Sequence, residues 1–245
     1  MPDPKVRYPS ITTFGGRTEM QKVDKEAVAN RVVQRFLTSG TSVFIGDGSS
    51  TFPVGLRMFE QNLQSTIWTN HLAIAHEFPL WASASSTDLR RTSVWLAGGE
   101  VDRDLMMTCG DDADTFAEKW AKKAQYIILS VRCLFSEQGP AGMEQKSLSI
   151  KQAAARAALQ TGGKLIFIAD HDKLSKGYTN EPLVFPAASD WAQALENPAV
   201  YVVTTQPPGL PEKKLVARPQ NALEWYQHHQ WKLGAAMHNR FIEVT

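Results

Sequence analysis

The stretch Thr41–Thr51, TSVFIGDGSST, runs a β-branched and aromatic segment into two glycines, a carboxylate and three hydroxyls. Ser42 to Ile45 has the length and composition of a short buried strand. The apolar positions after the loop (Phe52, Val54, Leu56, Met58, Phe59, Leu63) fit helical spacing. At a strand-to-helix junction the free backbone N–H groups and the positive end of the helix dipole face the loop, so an anion placed there needs no buried cation. Gly46 and Gly48 let the backbone approach a ligand, while Ser49, Ser50 and Thr51 supply hydroxyls that can cap the helix and donate to phosphate oxygens. The spacing is neither the dinucleotide GxGxxG nor the GxxxxGK motif of nucleoside triphosphate loops. An ordinary cap after a tight turn would use the same residue types.

Three other polar groups also follow apolar runs. Thr69-Asn70 closes STIWT, Gly98-Gly99-Glu100 closes TSVWLA, and Asp170 to Lys173 closes KLIFIA, with Lys151 in the Ala-rich segment between them. Two lysines beside an anion cradle suit a phosphorylated sugar. Taken singly, Asn70 reads as a helix cap, Glu100 as a solvated charge and Lys151 as a surface residue.

Positioning these groups on one rim requires a particular architecture. Six strand-like runs (42–45, 65–69, 92–97, 124–131, 164–169 and 199–204) alternate with helical segments at 23–37, 52–63, 70–78, 114–123 and 148–159. Such alternation predicts an α/β fold, a Rossmann-like, mostly parallel sheet with helices on both faces and ligands at the carboxyl ends of the strands. Asp24 is the expected cap of the first helix and Asn70 that of the third. Residues 1–16, with three prolines and Gly15-Gly16, read as an extended arm ending in a turn, residues 17–205 as the binding domain, and 206–245 as an extension on the same domain. That extension opens with a proline-rich connector and contains a helix at 221–233 and a short strand at 240–244. Its aromatic residues Trp225 and Trp231 favour a subunit contact, hence a homo-oligomer.

At 245 residues and 43% hydrophobic content the chain supplies a full core, which excludes disordered and fibrous classes. Twenty-six basic against 25 acidic residues leave a net charge of +1, so no electrostatic footprint for nucleic acid is present and no direct nucleic-acid binding by this chain alone is expected. Cys109 and Cys133 lack metal-type spacing and fit reduced thiols in the cytoplasm. No apolar run is long enough to span a membrane. Asp170-His171-Asp172 and His228-His229 are the conceivable metal ligands, but adjacent histidines on a helix point about 100° apart, so neither a metal nor another cofactor is expected.

In spacing and order the constellation resembles the C-terminal effector-binding domain of the DeoR family of bacterial sugar-metabolism regulators. The resemblance runs from about Thr13 to Thr204 on Phe14-Gly15-Gly16, IGDGSST at 45–51, WTN at 68–70, LAGGEV at 96–101, SIKQAA at 149–154 and ADHDKLSKG at 169–177. It implies a sugar-phosphate isomerase/CoA-transferase-like fold. It further implies phosphate binding at Gly48, Ser49, Ser50 and Thr51, with sugar or phosphate contacts from Thr69, Asn70, Gly99, Lys151, Asp170 and Lys173. Three positions depart from the family pattern: Gly46 stands where an acid closes the first strand, with Asp47 one place later. Arg132 follows the fourth strand where small residues are usual, adding a charge clamp or filling the pocket. Ser149 stands where an acid precedes the helix lysine. The family's winged helix-turn-helix precedes the arm, whereas fourteen residues precede Gly15 here.

Two functions follow from the resemblance. The first is a sensor domain whose phosphorylated sugar, or a related small anionic metabolite, shifts a conformational or oligomeric equilibrium. The second is a sugar-phosphate isomerase-like enzyme, whose proton-transferring carboxylate would have to be Asp47, Glu100 or Glu144 in the absence of an acid at 149.

Overall fold

A computed structural model describes residues 13–84, 88–135, 138–142, 145–170, 173–175, 182–205 and 241–244. The strands β1 (Ser42–Ile45), β2 (Thr66–Thr69), β3 (Ser93–Leu96), β6 (Tyr126–Ser130), β9 (Lys164–Ala169), β11 (Val200–Thr205) and β12 (Phe241–Val244) form one sheet in the order β12-β11-β9-β6-β1-β2-β3. Every pairing in it is parallel.

Both faces are covered, and the two-residue alternation of the strands divides the core. Phe44, Ile127, Leu129, Leu165 and Phe167 point to one face, beneath α5 (Asp111–Ala121) and α6 (Gln145–Thr161). Val43, Ile45, Ile128, Ile166 and Ile168 point to the other, beneath α2 (Lys22–Phe36) and α3 (Phe52–Glu60). Burial on two faces is why these strands read as continuous apolar runs. The remaining helices are α1 (Phe14–Glu19), α4 (Leu72–Ser83) and α7 (Ala188–Glu196).

Chain direction reverses at β1. From β1 the chain moves outward through β2 to the edge strand β3, then returns to β6 on the other side of β1. The loops leaving β1 and β6 therefore diverge, opening a crevice at the carboxyl ends of adjacent strands.

Several local expectations are corrected. Phe14-Gly15-Gly16 is not an extended turn but opens α1, where Thr13 Oγ1 accepts from the Gly16 N–H. Asp24 lies in the first turn of α2 and Gln21, in a left-handed conformation, precedes the helix. His71, not Asn70, occupies the cap position of α4. The stretch from 98 to 142 carries two hairpins that the sequence did not reveal. One joins β4 (Glu100–Asp102) to β5 (Met107–Cys109); the other joins β7 (Cys133–Phe135) to β8 (Gly139–Ala141), and β10 (Leu174–Ser175) pairs with β7. The small β10-β7-β8 sheet ties the loop after β6 to the loop after β9, fixing Arg132 and Lys173 relative to one another.

Phe167 is fully buried, with edge contacts to Phe185 and Trp191 at 6.1 Å. Phe167→Ala should lower the free energy of unfolding by about 3–5 kcal/mol in urea titration. Val23→Ala, at a 79% exposed position, should change it by less than about 0.5 kcal/mol.

Candidate functional site

The loop after β1 is organised by one carbonyl. Gly48 O accepts from the backbone N–H groups of Thr51 and Phe52, at 3.1 and 3.2 Å, and from the Thr51 hydroxyl at 2.8 Å; His71 Nε2 lies 3.2 Å away. Because a peptide unit is planar and trans, a carbonyl turned into the protein turns the Ser49 N–H the opposite way. The N–H groups of Gly48, Ser49 and Ser50 have no acceptor among the described residues. Gly48 has φ +130°, and a Cβ there would lie 2.1 Å from Ser130 Oγ, so only glycine fits.

Thr51 has a different role from the one expected. Its hydroxyl is fully buried and donates to Gly46 O and Gly48 O, so it makes no cap bond to α3 and does not line the cavity. The first turn of α3 offers little to an anion, since the Phe52 and Val54 N–H groups are spent on Gly48 O and Thr51 O and Pro53 has none. The donors left without an acceptor are those of the turn itself.

Asp47 is buried and fully partnered. Its N–H donates to Asn70 Oδ1 at 2.9 Å, Asn70 Nδ2 donates to Asp47 Oδ1 at 3.2 Å, and Ser147 Oγ donates to Oδ2 at 2.7 Å; the Lys151 ammonium lies 3.4 Å from Oδ2. Burial alone would raise its carboxyl, but the Lys151 charge and the hydrogen bonds from Ser147 and Asn70 outweigh it and hold Asp47 below the ordinary carboxylate range. Ser147 and Lys151 are four residues apart on α6, hence on one face of the helix. Asn70 also donates to Thr108 O, and Thr69 Oγ1 donates to Ile45 O, so both residues brace the loop from behind and neither lines the cavity.

In front of these groups lies a cavity of about 350 Å³. Asp47, Gly48, Ser49, Ser50, Arg132, Lys151, Asp170 and Lys173 all line it. Lys173 Nζ donates to Ser50 Oγ at 2.8 Å and lies 3.0 Å from Asp170 Oδ2. The Asp170 carboxylate is buried and lines the cavity; Oδ2 is taken by the Lys173 ammonium, and Oδ1 accepts no hydrogen bond from a described residue. The site thus combines unspent donors at the turn with one unspent acceptor, Asp170 Oδ1.

Not every expected residue is there. Gly99 and Glu100 sit outside the cavity: Glu100 pairs with Lys146 at 2.8 Å, and Gly99, at φ +114°, makes a tight turn against Cys109 O. Ser149 turns away and donates to Asp114 Oδ1. Glu144 lies outside the described residues, as do His171, Asp172, Trp225, His228, His229 and Trp231. Among the described residues no cluster of three or more His, Cys, Asp or Glu could hold a metal, and no helix is long and apolar enough to cross a membrane.

Sequence reasoning missed Ser130, Ser147, His71, Arg17 and Lys25. Ser147 was detectable from its four-residue spacing to Lys151. Lys25 was not, because on a charged amphipathic helix it reads as solvent-facing, whereas it is buried and lines the cavity with Arg17.

The His71 ring packs against the rings of Phe14 and Phe52, at centroid distances of 5.1 and 5.7 Å, and these two rings also meet each other at 5.5 Å. Burial lowers its pKa to about 4, with Asp47 and the Gly48 carbonyl opposing the shift, so the ring is neutral at pH 7. A histidine depressed when folded binds its proton first in the unfolded chain, so stability should decline as pH falls from about 6.5 to 4, by on the order of 3 kcal/mol. Thermal unfolding across this range should show the decline in the wild type and a flatter profile in His71→Gln.

The DeoR C terminal sensor domain model matches residues 20–184. No curated protein matches the sequence significantly. Among solved structures, translation initiation factor eIF-2B from Pyrococcus horikoshii OT3 is similar at 11% identity and TM-score 0.46, over 65% of this chain and 50% of that one. Ribose 5-phosphate isomerase from Plasmodium falciparum is similar at 13% identity and TM-score 0.40, over 62% and 52%. The chain spans about half the length of these structures.

Proposed function

Since the chain belongs to the DeoR C-terminal sensor domain family, we propose that it is the phosphosugar-sensing part of a cytoplasmic transcriptional regulator, with the phosphate on the Gly48–Ser50 turn. The observation that carries this reading is the turn itself, with three N–H groups lacking an acceptor among the described residues and the Lys173 ammonium on Ser50 Oγ. Asp170 and Lys151 stand on the same cavity, where sugar hydroxyls find an acceptor and a donor. Self-association belongs to the same proposal. The expected contact at Trp225 and Trp231 lies outside the described residues, but the edge strand β3 leaves Trp95 and Leu96 exposed, and an edge strand can pair with a two-fold copy of itself.

Binding is tested by calorimetry with aldose and ketose monophosphates against the unphosphorylated sugars. The phosphorylated forms should bind and the free sugars should not. Lys173→Met should weaken binding by about 1.5–3 kcal/mol, the range for hydrogen bonds to charged groups. Ser50→Asp should abolish binding while leaving the thermal transition in place, because a carboxylate there occupies Lys173 and repels the phosphate. Unchanged affinity in both variants would remove the turn from the site.

Sensing without turnover is also expected. A general base works best with a pKa near the operating pH, and Asp47 is held low by Lys151, Ser147 and Asn70 once its burial is overcome. Incubation with aldose and ketose phosphates in heavy water should leave the sugar carbons unlabelled. Rapid deuterium incorporation, lost on replacing Asp47 or Glu144, would make the protein an isomerase instead.

A further inference from the structure

Lys25 is buried in the cavity wall on the first turns of α2, and nothing in the motif pattern points to it. Its ammonium donates to the carbonyls of Arg17 and Met20, the latter at 2.6 Å, at the C-terminal end of α1. A cation is favoured at that end of a helix. An ammonium has three donors, and among the described residues two are used. The charges that act on it are Lys173 and Arg17, which repel it, and Asp170 and Glu19, which attract it. Of these, Arg17, Asp170 and Lys173 line the same cavity, and Lys173 is the residue that holds Ser50.

We propose that Lys25 is a further cationic contact for the phosphate on the Gly48–Ser50 turn, and that its bonds to Arg17 O and Met20 O tie occupancy of the turn to the position of α1. This rests on the phosphosugar reading of the cavity. A second contact runs to the same helix from the other side of the turn: Phe14, the first residue of α1, stands edge-on to His71, whose Nε2 lies beside Gly48 O. α1 is thus held at one end by the ring that supports the turn and at the other by the cation that faces it.

The charge balance gives the proposal a signature. In the free protein, burial and the neighbouring Lys173 lower the Lys25 ammonium to about 8. A phosphate ester is a dianion well below that pH, and an opposite charge placed beside the ammonium favours its protonated form. Binding above pH 8 must therefore take up a proton, and affinity must decline as pH rises further.

The test is calorimetry on the full chain at pH 8.5 in two buffers of different ionisation enthalpy, with glucose 6-phosphate, fructose 1-phosphate and inorganic phosphate as probes. The wild type should take up protons as phosphate binds, because the neutral form of Lys25 is populated at this pH. Lys25→Arg should retain binding but lose the uptake, since an arginine is always charged. Lys25→Met should lose the uptake and weaken binding at pH 7 at least tenfold. Hydrogen exchange at residues 14–19 should slow on binding in the wild type and not in Lys25→Met. Binding without proton uptake in the wild type, or equal uptake in Lys25→Arg, would overturn the role of Lys25 while leaving the phosphosugar site standing. Failure of every probe to bind would overturn that site and this inference together.

Discussion

The inward turn of the Gly48 carbonyl is the constraint on which the site depends. Two backbone N–H groups and a hydroxyl converge on it, with the His71 ring alongside, and each comes from a part of the fold that has to be in register for the contact to exist. Thr51 and Phe52 supply theirs only if α3 starts where it does. His71 reaches the carbonyl because β2 ends one strand away, and Thr69 Oγ1, which donates to Ile45 O, accepts the His71 N–H at 3.0 Å. Ser130, at the end of β6, closes the other side by donating to Asp47 O at 2.8 Å. The three strand ends thus form one hydrogen-bonded platform. The outward N–H of Ser49 is its by-product, since a planar peptide cannot turn its carbonyl in without turning an amide out.

The charges follow the same plan. Each carboxylate of the cavity stands beside a lysine, Asp47 with Lys151 and Asp170 with Lys173. Buried ion pairs contribute little net stability because desolvation offsets most of their attraction. Two of them beside one 350 Å³ cavity are therefore poorly explained by folding alone. They do suit a ligand carrying both an anion and hydroxyls, because each lysine can share its charge with a phosphate while its carboxylate accepts from a hydroxyl.

The sheet was legible because five of its strands, β1, β2, β6, β9 and β11, are buried on both faces and read as apolar runs, and the loop residues 47–50 were legible because glycines, a carboxylate and hydroxyls follow a strand directly. What escaped was set by contacts between segments distant in sequence. The three-residue strands β4, β5, β7 and β8 are too short for a two-residue alternation to stand out. Asn70 looks like a cap in sequence because asparagine caps helices well, but the side chain is drawn to the Asp47 backbone 23 residues earlier. Thr51 shows the same effect, its hydroxyl taken by carbonyls behind it rather than by the helix ahead. Gly99-Glu100 was misplaced because a strand end need not face the crevice: β3 is the outermost strand, two places from β1 and three from β6.

Helix phase accounts for the one substitution in the motif that bears most on chemistry. On α6, residues 147 and 151 share a face and both reach Asp47 Oδ2, whereas residue 149 lies about 200° around the helix from 147. Its side chain meets α5 instead, donating to Asp114 at 2.9 Å. Burial already pushes the Asp114 carboxyl up, and Asp111 adds to the shift, with the Ser149 hydroxyl the group that moderates it. An acid at 149 would exchange that donor for a second carboxylate facing the first, on the side of α6 turned away from the cavity. A hydroxyl donor at 149 thus suits the α5–α6 contact, and in this arrangement position 149 could not deliver a base to a sugar held on the Gly48–Ser50 turn.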